Sequence, residues 1–178
     1  PAQQEDVTLR SWLSALPDEQ IASRPRLLLA QADMALGSGG VEAVERALDA
    51  AERAFEDGDD EPLEPATGPA SFVANVPAAI AFWRAYLAEL SGDAEHAIAL
   101  DRQALAELGD EQSLLAAAAR LHLRSVELMS GTFVGAEQGL AASFAELHAA
   151  GEIYPALRAC ELLGHVQRAR GRLDAAAG

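Results

Sequence analysis

Glycine returns through the second half of this chain at a nearly fixed interval: Gly92 and Gly131 are 39 residues apart, and Gly131 and Gly171 are 40. Each opens a stretch patterned as a helix, "GDAEHAIALDRQALAEL", "GTFVGAEQGLAASFAEL" and "GRLDAAAG", and an earlier one, "GGVEAVERALDAAER", begins at Gly39. Self-similarity at a period of roughly 20 to 50 residues is the mark of a repeat architecture. It restricts the fold more than composition does, because a unit that cannot bury its apolar face alone must bury it on the next unit.

The units read as helices. After Gly39, Val41, Val44, Leu48, Ala51 and Phe55 recur at steps of three and four, with Glu42, Glu45, Arg46, Asp49, Glu52 and Arg53 on the other side. After Gly92 the stripe is Ala97, Leu100, Ala104 and Leu108, widened by Ile98 and Leu105, and Asp93 places negative charge in the first turn, where the helix dipole favours it. After Gly131 come Phe133, Ala136, Leu140, Phe144 and Leu147. The helices that precede the glycines are apolar on more sides. Leu114, Ala118, Leu121, Ser125 and Leu128 form one seam, and Leu115, Ala119, His122, Val126 and Met129 a second beside it; Ala156, Cys160 and Leu163 likewise back onto Ala159, Leu162 and Val166. Two seams on one helix suit a helix sandwiched between partners. Alanine supplies 40 of the 89 hydrophobic residues, and as the best helix former and a poor strand former it predicts an all-α fold with closely approaching helices. The pattern gives about eight helices in four hairpins.

A single domain spanning 1–178 fits the length. One segment breaks the rhythm: "EDGDDEPLEPATGP", 56–69, holds six acids, three prolines and two glycines, and is expected to be a solvent-facing loop over 56–70. Gly171 is followed by seven residues, too few for a helix that buries a face, so the expectation is a piece of a longer chain, cut inside its next repeat.

Acids outnumber bases 28 to 13, the net charge is −15, and every basic residue is arginine. That balance repels phosphate backbones and argues against nucleic-acid binding by this segment. One cysteine, Cys160, precludes an internal disulfide and suits a reducing compartment. No apolar run approaches the roughly 18 residues of a membrane span, and "PAQQEDVTLR" does not read as a signal peptide; the expected location is the cytoplasm, and the lysine-free, alanine-rich usage suggests a GC-rich bacterial genome.

Glycine in the turn, then Ala97 and Ala104 seven apart, each followed by a large aliphatic (Ile98, Leu105), resembles the second helix of a tetratricopeptide repeat; Leu163 and Gly164 before Gly171 add to the likeness. The interval is longer than the usual 34 residues of that repeat, which points to a variant. "WLSALPDEQIASRPRLLLAQADMALGSG" (12–39), "VANVPAAIAFWRAYLAELSGDAEHAI" (73–98) and "GEIYPALRACELLGHVQRARGRLDAAA" (151–177) are similar, in this order, to the central region of MalT-like, large ATP-binding LuxR-type transcriptional regulators. The resemblance implies a right-handed superhelix of stacked antiparallel hairpins. It also implies a sensor and protein-interaction region that binds a small-molecule effector or a protein partner, with self-association possible. ATP would be a cofactor only of an amino-terminal module outside this segment, and DNA the ligand of a carboxy-terminal helix-turn-helix. The chain has no G-x-x-x-x-G-K-[ST] loop and no lysine to complete one. The alternative is a free-standing scaffold that binds a partner peptide and has no part in transcription.

Matching the tetratricopeptide register places Phe82, Tyr86 and Glu89, and Arg158, Glu161, His165 and Arg168, on the groove as candidate ligand-binding residues; the competing reading packs the aromatics between repeats and leaves the charges solvated. Catalytic and metal sites are not expected. Counted from Asp57, the sixth and twelfth places of a calcium loop hold Pro62 and Gly68 in place of glycine and glutamate. His96, His122, His148 and His165 have no metal-ligand spacing. Cys160 is expected to be packed and inert, and no nucleophile elbow or paired catalytic carboxylates mark an enzyme.

Overall fold

The structure, a computed structural model, describes residues 15–37, 40–58, 72–110, 113–131 and 135–171. Among them are eight helices and no strand: α1 (Asp18–Ala22), α2 (Pro25–Gly37), α3 (Val41–Asp57), α4 (Val76–Leu90), α5 (Ala94–Leu108), α6 (Leu114–Met129), α7 (Ala136–Ala149) and α8 (Ile153–Ala169). The all-helical expectation holds over these residues.

Local chemistry sets the helix ends. Asn75, Asp93 and Ser113 cap α4, α5 and α6, each side chain accepting from a backbone N–H three residues on, at 3.1, 3.0 and 3.2 Å; such caps contribute about 1 kcal/mol each. Pro77 sits in the first turn of α4, where its missing N–H costs nothing. At the other end of α4 the chain turns on Gly92, with φ 83°: Gly92 N donates to Glu89 O and Asp93 N to Ala88 O, both at 2.9 Å. The sequence expected glycine bends at Gly39, Gly92, Gly131 and Gly171; the last three have positive φ, and Gly39 lies outside the described residues. Gly151, not anticipated, makes an equally tight turn between α7 and α8.

Each helix packs on its neighbour in the chain, and α2, α4, α6 and α8 also pack on one another in series. The buried side chains follow that order. One cluster runs from Ile21 to Ala119, through α1 to α6, and a second from Ala117 to Val166, through α6 to α8. The core thus extends along the helix order, as an α-helical solenoid would require. Alanine makes the close approaches: Ala32, Ala51, Ala78, Ala79, Ala97, Ala104, Ala116 and Ala119 have no accessible surface.

Arginine ties consecutive helices at the surface. Arg84 of α4 donates to Glu52 (2.7 and 3.0 Å) and Asp49 (3.1 Å) of α3. Arg102 of α5 reaches Glu127 of α6 at 3.0 Å, Arg120 of α6 reaches Glu146 of α7, and Arg170 after α8 reaches Glu137 of α7. The hydrogen bonds of Arg84 hold the Glu52 carboxyl below its ordinary range.

Three expectations are corrected. Glu56 and Asp57 are the last turn of α3, so the acidic segment is helical at its start; from 59 to 70 it lies outside the described residues. Cys160 is exposed, not packed. Met129, assigned to an inner seam, is 62% exposed at the end of α6. Phe133, Trp12 and the residues after Gly171 also lie outside the described residues.

Candidate functional site

The residues that α4, α5 and α6 bring together are not all polar by chance of surface position; the helix faces put them inside. On α5 the buried positions are Ala97, Asp101, Ala104 and Leu108. Asp101 occupies the place on the apolar stripe that Leu100 was expected to fill, and Leu100 is only half-buried. On α6, His122 lies in the buried seam with Leu115, Ala119 and Val126. A polar group in such a place needs a partner, because an unmade hydrogen bond leaves its full desolvation cost. Here the two supply each other: His122 Nδ1 is 2.8 Å from Asp101 Oδ2. The other ring nitrogen, Nε2, is 2.9 Å from Glu89 Oε2 on α4. One imidazole therefore joins three helices.

Protons can be counted from this geometry. Each of the two contacts needs a hydrogen between nitrogen and oxygen, and a neutral imidazole carries only one. Burial acts to lower the His122 pKa, but hydrogen bonds to Asp101 and Glu89, with their charges, outweigh it and the net direction is up. Burial raises the Asp101 carboxyl, and the pairing with His122 only partly offsets it. The raised histidine and the two contacts assign an imidazolium that donates from both nitrogens, while burial of Asp101 pulls the proton they share toward its carboxyl. Asp101 has no accessible surface, and its Oδ1 has no hydrogen-bond partner among the described residues, which leaves this carboxylate dependent on His122.

Aromatic rings seal the cluster. Tyr86 stacks on the imidazole with centroids 4.8 Å apart and planes at 22°, and Phe82 meets it edge-on at 5.9 Å. A ring face toward a cation is attractive. Phe72 and Trp83 pack on Phe82 from behind, at 5.4 and 5.1 Å. Glu127 of α6 is also buried and accepts from Arg102 and Arg124.

Of the seven residues expected on a groove, the structure assembles three. Phe82 is 4% exposed and belongs to the core, so its ring lines no open surface. Tyr86 is half-buried against His122, and Glu89 keeps 22% of its side-chain surface while bound to the same ring. The other four, Arg158, Glu161, His165 and Arg168, are exposed on α8. Arg158 donates to Glu161 at 2.9 Å, and that bond with its charge lowers the Glu161 pKa. Helix α6 packs between α4 and α8.

His122 and Asp101 were missed as a pair. The signal was present: an acid one turn from Ala97 on a stripe, and a histidine on the seam of the helix that packs against it. The four histidines lie on four different helices. The two carboxylates engage opposite ring nitrogens, so they do not converge on a common point, and no group among the described residues is arranged to hold a metal ion. With both nitrogens occupied, His122 offers none to a substrate; its chemistry is to hold a proton and fix α4, α5 and α6 together. Compared with family models, curated proteins and solved structures, the chain matches none.

Proposed function

We propose that this chain is a non-enzymatic interaction module: a right-handed superhelix of helical hairpins that serves as the sensor region of a MalT-like, LuxR-type transcriptional regulator. In this reading an effector or partner protein settles on the groove side of the alternate helices and changes how the superhelix presents itself to an ATPase module and a DNA-binding module elsewhere in the protein. The observation that carries it is the series of contacts among α2, α4, α6 and α8, each of which also packs on the helix that follows or precedes it. Stacks of this kind bind along the surface lined by their alternate helices. Exposed Arg158, Glu161, His165 and Arg168 on α8, with Tyr86 and Glu89 at the α4–α6 joint, supply hydrogen-bonding groups and one aromatic face for such a ligand. The acidic excess supports a partner other than nucleic acid, and among the described residues no helix is long and apolar enough to cross a membrane.

The test is a thermal-shift screen of the purified chain against sugars, nucleotides and peptides, followed by titration of any hit with the Arg168→Ala variant. Binding that weakens in the variant while helical content is unchanged supports the reading. ATP hydrolysis or DNA retention by the pure chain at physiological salt overturns it.

A further inference from the structure

On the side of α4 opposite Tyr86 and Glu89, the chain forms a cavity of about 550 Å³ between α3, the end of α4 and the start of α5. Its apolar lining comes from Leu48, Leu87 and Ala88. Two further apolar side chains of the lining lie open to solvent at its mouth, Val41 at 41% and Leu90 at 58% exposure. The charged lining is Glu45, Asp49, Asp93 and Arg84. The guanidinium of Arg84 is already committed, since it donates to both Asp49 and Glu52, so one positive charge faces two carboxylates. Asp93 accepts the backbone N–H of His96 through Oδ1, which leaves its second oxygen free of that cap, and Glu45 is exposed on the next turn of α3. Ser91 and His96 complete the lining, so the cavity mixes apolar side chains with an excess of carboxylates.

We propose that this cavity is a docking site for a basic amphipathic helix of a partner protein, one that sets leucine-like side chains on Val41, Leu87 and Leu90 and directs lysine or arginine toward Glu45 and Asp93. Charge complementarity selects a cationic partner, and a second copy of this chain, at net charge −15, is a poor match. The exposed apolar side chains at the mouth select a helix over a free amine, which would leave Val41 and Leu90 in water. An apolar face laid in a groove with charges at the rim is an established way to bind a helix. The site is separate from the groove of alternate helices and does not rest on the regulatory reading, so either can fail alone.

The probe is a synthetic helical peptide with one leucine face and one lysine face, titrated by fluorescence anisotropy into the intact chain, with its lysine-to-glutamate counterpart as control. The Glu45→Gln/Asp93→Asn variant keeps the α5 cap, because asparagine caps as well as aspartate, and should weaken binding about tenfold, as the loss of two rim charges implies. Glu19→Gln/Glu107→Gln removes the same charge at exposed positions on α1 and α5 and should leave affinity within about twofold, since only screened, distant attraction is lost. Leu90→Ser should weaken binding without changing helical content. Equal losses in the two charge-neutralised variants, or no loss in Leu90→Ser, would overturn the proposal by showing diffuse attraction only. Binding of butylamine that competes with the peptide yet is indifferent to Leu90→Ser would also overturn it, in favour of a small-amine site.

Discussion

Removing the ring of His122 should be among the most damaging single changes in this chain, and the structure sets the scale. Asp101 has no accessible surface and His122 Nδ1 is its one hydrogen-bonding partner among the described residues. His122→Leu fills much of the volume but strands the carboxylate, and breaking one side of a buried ion pair typically costs about 3–5 kcal/mol. Against the 5–15 kcal/mol or so that holds a typical domain folded, that is a large fraction. The double variant Asp101→Leu/His122→Leu removes both charges and should regain most of the loss, because apolar replacement of a buried pair is often neutral. Urea denaturation followed by far-UV circular dichroism measures both. The wild type also has a definite pH dependence. With its pKa raised above 6.5, His122 contributes fully below that value, and the contribution is lost as pH rises through the raised, folded-state pKa. Asp101, also raised, acts in the same direction: its folded form retains a proton above the ordinary 3.8, so stability falls as that proton leaves. The other charged groups near the ring are Glu89 on α4, Glu127 and Arg124 on α6, and Arg102 on α5. The urea midpoint should therefore decline from neutral to alkaline pH in the wild type and lose that decline in the double variant. A cost below about 1 kcal/mol for His122→Leu, the range of an exposed pair, would refute the reasoning.

Other outcomes follow from single features. Gly92→Ala should cost about 1–2 kcal/mol, the strain of a left-handed residue with a Cβ, since nothing lies near the added methyl to clash with it; no change in the urea midpoint would show that the turn relaxes. Asp93→Ala should cost about 1 kcal/mol and Asp93→Asn almost nothing, if the side chain acts as a cap. Ala104→Leu should destabilise by about 1–3 kcal/mol, because the residue is fully buried between helices and the core must shift to admit it. Cys160 should react with a chromogenic disulfide in the native state, and a requirement for denaturant would contradict its exposure.

How far the sequence could be read is best seen on α5. Its start was legible, because Gly92 and Asp93 are local signals with local causes, although Asp93 was read as a charge on the helix dipole and proves to be the cap. Which side of it faces inward was not. Alanines at 94, 97, 99, 104 and 106 give nearly every face some apolar character, so the stripe could be drawn through Leu100 or, one position round, through Asp101. Tertiary pairing with His122 decided it. The same weak contrast explains Met129 and Cys160, which sit at the edges of apolar faces that the neighbouring helices do not reach. Of the candidate site, the repeat register singled out Tyr86 and Glu89 as groove residues but not their contact with His122, which was hidden in a seam otherwise made of hydrocarbon. Gly151 was missed because it falls between the glycines that keep the interval.

The account depends on helices stacking in chain order, with α4 against α6 and α6 against α8. Methyl-methyl nuclear Overhauser effects in a selectively labelled sample test this most directly. Contacts linking Ala88 on α4 with Val126 on α6, and Leu121 on α6 with the alanine and leucine methyls of α8, are the predicted result. An equally dense network joining α8 to α2 or α4 would mean a closed bundle and would contradict it.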